Sequence, residues 1–89
     1  MQISSDEDFP ELRRQFQTWR KRFPMFTHDV HSIERIIENF ITRYSNHLVL
    51  YRQTKRKSHL EAAQKEIENI NRALSMIEKI ELMAMLSRG

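Results

Sequence analysis

Apolar residues recur at alternating steps of three and four positions along three stretches of this 89-residue chain. That spacing places them on one face of an α-helix, as in the seam of a coiled coil. It predicts helices over about 8–23, 29–51 and 58–86. The three seams are Phe9, Leu12, Phe16, Trp19 and Phe23; Val30, Ile33, Ile37, Phe40, Tyr44, Leu48 and Tyr51; and Leu60, Ala63, Ile67, Ile70, Leu74 and Ile77.

Glycine and proline are nearly absent, which favours helix over sheet. The only glycine is Gly89, and the only prolines are Pro10 and Pro24. Folds rich in β-strands need turn residues at short intervals, and this chain lacks them. Pro10 falls in the first turn of the first helix, where its missing N–H costs nothing. Pro24 disfavours helix at the residue before it and ends that segment.

Residues 52–57 leave two arrangements open. The second seam loses its rhythm after Tyr51, and the rhythm restarts out of phase at Leu60. A capping box formed by Ser58 and Glu61 also indicates a new helix start, which favours an antiparallel hairpin. The absence of Gly and Pro from 52–57 instead favours one continuous helix from about 29 to 86 that dimerises around a local stutter. The hairpin is the preferred interpretation.

The predicted architecture is a small all-α domain. Its fold class is a three-helix bundle or antiparallel helical hairpin with coiled-coil-like heptad packing. We expect residues 1–7 to form an acidic N-terminal tail and 8–89 to form a single helical domain. A chain of this length buries only a thin core by itself, so partner chains would add the burial it lacks.

The charge of the chain is concentrated in its middle. Residues 12–57 carry eleven basic and three acidic side chains, within a whole-chain net charge of +3. Basic residues beside aromatic ones are typical of nucleic-acid binding, which makes a small basic nucleic-acid-binding protein using 13–22 and 52–57 the alternative function. The candidate basic patch is Arg13, Arg14, Arg20, Lys21, Arg22, Arg52, Lys55, Arg56 and Lys57.

Sequence motifs for catalysis or cofactor binding are missing. There is no cysteine and no glycine-rich loop for phosphate, and the acidic side chains fall on polar helix faces beside Lys or Arg. His28, His31 and Glu34 share one side of a predicted helix but lack further ligands for a metal. We therefore expect a non-enzymatic protein with no catalytic residue, no cofactor and no metal.

The C-terminal stretch carries the strongest functional indication. It is apolar on nearly all sides, so another surface should cover it. We expect a scaffold or adaptor module that binds protein partners through heptad helix faces, as a homo- or hetero-oligomer within a multi-subunit assembly. The predicted partner interface is Leu74, Ile77, Ile80, Leu82, Met83 and Leu86.

The predicted location is intracellular, either cytoplasmic or nuclear. The absence of cysteine suits a reducing compartment. The acidic first residues do not resemble a secretory signal peptide, and no apolar run approaches the ~20 residues of a transmembrane segment.

Overall fold

In a computed structural model, which describes residues 1–87, the chain folds into three α-helices joined by short turns. Helix α1 covers Phe9–Arg22, α2 covers Thr27–Thr54 and α3 covers Lys57–Ser87. The all-α fold predicted from the apolar spacing is confirmed, and α2 and α3 form an antiparallel hairpin on which α1 packs. None of these helices carries an apolar stretch long enough to span a lipid bilayer.

The hairpin turn lies at the phase slip in the sequence. Lys55 adopts the left-handed conformation, with φ 59° and ψ 19°, and its N–H donates to the Tyr51 carbonyl at 2.7 Å. The N–H of Arg56 donates to Thr54 Oγ1 at 3.3 Å. Because the left-handed residue reverses the chain, α2 and α3 are separate helices rather than one continuous helix.

Proline sets the other helix boundary. Pro24 begins a single 3₁₀ turn, Pro24–Phe26, between α1 and α2. Phe23 leaves helical geometry, with φ −119° and ψ 66°, while its N–H still donates to the Trp19 carbonyl at 2.8 Å. The aromatic side chain of Phe23 is buried, so the break also closes one end of the core.

Helix α1 covers only part of the hairpin. Its 14 residues span about 21 Å, whereas the 28 residues of α2 span about 42 Å. The ring of Phe9, the first residue of α1, meets the edge of Tyr44 at a centroid distance of 5.5 Å. Beyond Tyr44 the hairpin continues as two helices, which gives the molecule its elongated shape of 54 × 18 × 17 Å.

Residues 1–5, here called the N-terminal strap, pack onto α3. Ile3 is only 2% exposed. Its N–H donates to Asn71 Oδ1 at 2.7 Å, and its carbonyl accepts from Asn71 Nδ2 at 2.8 Å. The strap is followed by a 3₁₀ turn, Asp6–Asp8. This segment falls within the predicted acidic tail over 1–7, and it packs on the fold because the backbone of Ile3 is hydrogen-bonded to the side chain of Asn71.

The core is one continuous cluster that joins all three helices and the strap. It contains most of the predicted seam residues, because the apolar faces of the helices turn toward one another. The buried apolar residues are Ile3, Phe9, Leu12, Phe16, Trp19, Phe23, Val30, Ile33, Ile37, Ile41, Tyr44, Ala63, Ile67, Ile70, Ala73, Leu74, Ile77 and Ile80.

Candidate partner-binding surface

One end of the molecule exposes a group of large aliphatic side chains. Four of them belong to the last turns of α3, where Leu86 is 72% exposed and Leu82 is 57% exposed. A fifth, Met25, lies in the turn between α1 and α2 and is 82% exposed. We call this surface the apolar end, defined by Met25, Leu82, Met83, Met85 and Leu86.

The two segments of the apolar end meet at a shallow cleft. This cleft has a volume of about 160 Å³ and lies where the turn after α1 faces the end of α3. Its apolar lining comes from Phe23, Pro24, Met25, Phe26 and Ala84. The proline break therefore places Met25 beside the C-terminal turns of α3, which makes the exposed surface wider than one helix.

The predicted partner interface divides into two groups. Leu74, Ile77 and Ile80 are each at most 5% exposed and belong to the core of the chain. The remaining three residues, Leu82, Met83 and Leu86, are exposed at the apolar end. The sequence expectation combined these groups because the C-terminal stretch is apolar on nearly all sides, but the hairpin buries only the side of α3 that contains Leu74, Ile77 and Ile80.

The first basic cluster is largely paired with carboxylates of the same chain. Arg13 donates from Nε and Nη2 to the two carboxylate oxygens of Glu38, at 2.9 and 3.1 Å. These hydrogen bonds raise the pKa of Arg13 above its ordinary value. Arg20 donates to Glu34 at 2.6 Å in a partly buried pair. Such pairing reduces the positive charge available to a phosphate backbone.

Two further arginines of this cluster also have acidic neighbours. Arg14 hydrogen-bonds to Glu11, and this contact lowers the pKa of the exposed Glu11 carboxyl. Arg22 lies 3.9 Å from Glu81 of α3, with its guanidinium over the ring of Phe23. Lys21 is exposed on the same turn of α1.

The second basic cluster lies at the opposite end of the hairpin. Arg52, Lys55, Arg56 and Lys57 surround the α2–α3 turn, and all four are exposed. The length of α2, about 42 Å, separates them from Arg20–Arg22 beside the other turn. The nine residues of the candidate basic patch are therefore not one continuous surface.

The histidine group does not assemble into a metal site. His31 Nδ1 lies 3.6 Å from Glu34 Oε1, but that carboxylate is engaged by Arg20. Within residues 1–87, no three His, Cys, Asp or Glu side chains are grouped so that they could hold a metal ion.

Two members of the apolar end, Met25 and Met85, are absent from the predicted interface. Met85 lies outside the heptad seam of α3, and Met25 follows the proline that interrupts the apolar rhythm. The density of aliphatic residues over 80–86 could have indicated Met85, because it exceeds what one helix face can bury.

Comparison with known proteins gives no relative: the chain matches no protein-family model, no curated protein and no solved structure. The function of this chain is therefore inferred from the geometry of the described residues.

Proposed function

We propose that this protein is a non-enzymatic interaction module, a scaffold or adaptor that associates with helices of other protein chains through its apolar end. The observation that carries this proposal is the exposure of four large aliphatic side chains over 82–86, next to Met25. The partner helices belong to a second copy or to other subunits of an assembly.

The energetics of apolar surface support a partner at this end. Each square ångström of apolar area contributes roughly 25 cal/mol when it leaves water, so several exposed Leu and Met side chains supply a few kcal/mol. Scattered exposed aliphatic residues are normal on protein surfaces, but a contiguous group marks a contact surface. Methionine suits such a surface because its flexible thioether adapts to the partner's shape.

The position of this surface also favours helix–helix contact. The exposed residues occupy the final turns of a 31-residue helix whose earlier turns already pack against α2. In these last turns Ala84 still packs on the core, and Leu82 and Leu86 lie on the opposite side of the helix. A partner helix can therefore pack on that outer side without any rearrangement of the core. We therefore propose only the exposed residues of the last two turns as the interface, in place of the six residues predicted between Leu74 and Leu86.

The alternative of nucleic-acid binding receives less support from the geometry. It required residues 13–22 and 52–57 to act together, and they lie at different levels of an elongated molecule. Phe16 and Trp19, the aromatic residues of the first cluster, are buried and cannot stack on bases.

The test of the proposal is a comparison of charged substitutions by sedimentation velocity. We expect the double variant Leu82→Glu/Leu86→Glu to abolish association, because it places two carboxylates in the contact. The matched control is Ile36→Glu, which changes an aliphatic residue of α2 that is 42% exposed. Circular dichroism should show native helix content in both variants.

Retention of the wild-type oligomeric state by the double variant would remove the apolar end from the proposal. Dissociation of the Ile36→Glu control would instead assign the contact to the middle of α2.

A further inference from the structure

The hairpin carries an open groove directly beyond the start of α1. The groove has a volume of about 380 Å³ and is lined by Tyr44, Leu48, Leu60, Glu61, Ala63 and Gln64. Tyr44 also receives the ring of Phe9, so the groove begins where α1 stops covering the hairpin. It therefore continues the side of α2 on which α1 packs.

Helix α1 shows how a helix packs on the neighbouring part of the same hairpin. It places an apolar seam against α2 and flanks that seam with arginines. Arg13 and Arg20 pair with Glu38 and Glu34, two carboxylates that border α1 on α2. Over this part of the hairpin, the arginines of α1 thus face carboxylates along the edge of α2.

The charge around the open groove is mainly basic, and Glu61 is the one acidic residue of its lining. Residues 39–60 contain no Asp or Glu, and the turn beside the groove carries Arg52, Lys55, Arg56 and Lys57. Arg52 lies four residues after Leu48, on the same side of α2. Burial of the Tyr44 phenol raises its pKa and the charge of Asp6 adds to this rise, while a hydrogen bond to the Asp6 backbone and the charge of Arg52 oppose it. Both charges therefore act at the edge of the groove.

We propose that this groove binds an amphipathic helix of a protein partner, with an apolar seam flanked by acidic residues. The apolar seam fills the space between Leu48 and Leu60, as α1 fills the neighbouring part of the hairpin. The acidic flanks face Arg52 and Lys57, in the helix-in-groove mode of recognition.

The observations favour this occupant over other anionic ones. Tyr44 is only 9% exposed, so its ring is not available for a base to stack on. The surface is a concave groove, which suits a helix better than the flat face of a bilayer. A second copy of α1 would bring Arg13, Arg14 and Arg20 toward a basic border.

This surface is independent of the apolar end. The two lie at opposite ends of a molecule 54 Å long, so both can be occupied at once. An adaptor requires two such separate contacts, one for each protein that it joins.

The experiment uses the full chain and two synthetic helical peptides that share one leucine seam of alternating three- and four-residue spacing. One peptide carries glutamate at the flanking positions and the other carries lysine. We expect the glutamate peptide to bind at least about tenfold more tightly by fluorescence anisotropy, which corresponds to 1.4 kcal/mol. The variant Arg52→Glu/Lys57→Glu should reverse this preference, and Leu60→Ser should weaken the binding of the glutamate peptide.

The matched control is Lys21→Glu/Lys79→Glu, which reverses two exposed lysines near the other end and should leave peptide affinity unchanged. Equal affinity for the two peptides, no binding of either, or an unchanged preference in the Arg52→Glu/Lys57→Glu variant would overturn the proposal. Displacement of the glutamate peptide by phosphatidylserine vesicles or a single-stranded oligonucleotide at physiological salt would also overturn it, and would assign the groove to that ligand.

Discussion

Glu66 is the one charged residue buried among the described part of the chain, at 8% exposure. Its Oε1 accepts a hydrogen bond from Asn69 Nδ2 at 3.2 Å, but its buried Oε2 has no donor. A buried polar atom without a partner costs free energy, because it has lost its hydration without gaining a hydrogen bond. We therefore expect Glu66 to be less favourable for stability than an apolar side chain at this position.

We expect Glu66→Met to raise the free energy of unfolding by about 1–2 kcal/mol. Methionine has a similar length and removes the unsatisfied oxygen. The control Glu68→Met changes an exposed neighbour and should shift stability by less than about 0.5 kcal/mol. Urea denaturation measures both, and a less stable Glu66→Met variant would mean that the carboxylate has a stabilising role.

Tyr44 links stability to alkaline pH. Burial disfavours the phenolate and raises the pKa of Tyr44 above its ordinary value of 10.0; the charge of Asp6 adds to this rise, and a hydrogen bond to the Asp6 backbone opposes it. Since the folded pKa exceeds the unfolded one, this contribution to stability is complete below the unfolded pKa and is lost as pH rises through the folded pKa. We expect the free energy of unfolding to fall above pH 10.0, and Tyr44→Phe to reduce that fall.

The control for this measurement is Tyr51→Phe, which changes the other tyrosine of the hairpin and should leave the pH dependence in place. Identical alkaline profiles for wild type and Tyr44→Phe would show that Tyr44 does not control stability in this range.

Single residues outside a periodic pattern were the least predictable from the sequence. Ile3 stands alone among polar residues, so no spacing indicated its burial, and its partner Asn71 is 68 positions away. Glu66 occupies the buried face of α3, where hydrophobic patterning alone would expect an apolar side chain. Both depend on tertiary contacts that local sequence does not encode.

The turn between α2 and α3 is the element on which the hairpin depends. Lys55 holds the left-handed conformation there, which is sterically costly for a residue with a Cβ. Glycine adopts this conformation freely and is the usual residue after a helix end. We expect Lys55→Gly to stabilise the protein by about 0.5–1 kcal/mol in thermal unfolding, after its greater unfolded-state entropy is included.

Arg56→Gly is the matched control for the turn. Within residues 1–87, Lys55 is the only non-glycine residue with positive φ, so Arg56 gains nothing from glycine. Equal effects of the two substitutions would contradict the left-handed turn.

The N-terminal strap is held by one side chain of α3. We expect Asn71→Ala to lower the free energy of unfolding by about 2 kcal/mol, because both hydrogen bonds to Ile3 are lost. The N–H of Ile3 should also lose its protection from hydrogen exchange. Asn46→Ala, at an exposed position of α2, is the control. Unchanged protection of Ile3 in Asn71→Ala would contradict the anchoring of the strap.

At the scale of elements, the sequence predicted the helix boundaries because the proline positions and the apolar spacing agree. Pro24 marked the end of α1, and the phase slip after Tyr51 marked the hairpin turn within a few residues. The absence of glycine left the turn ambiguous, since Lys55 has a left-handed conformation that lysine rarely adopts. The apolar spacing located the helix faces but not which of them would face each other.

At the scale of the whole molecule, the core and the candidate surfaces use different parts of the same pattern. The apolar seam of α3 is buried from Ala63 to Ile80 and continues to the partly buried Ala84. The exposed aliphatic residues after Ile80 lie on the other sides of the helix, which leaves them free for a partner. The sequence could not separate these groups, because it does not show which side of the last turns of α3 packs on the core. The open groove also required the structure, since it arises from α1 being shorter than the hairpin.

The most direct test of the central claim is the mass of the wild-type chain in solution, measured by light scattering over a wide range of concentration. We expect a mass above that of one chain, decreasing on dilution, because covering the apolar end favours association. A mass equal to one chain at every concentration, with the methionines of the apolar end fully accessible to oxidation, would contradict self-association through this surface.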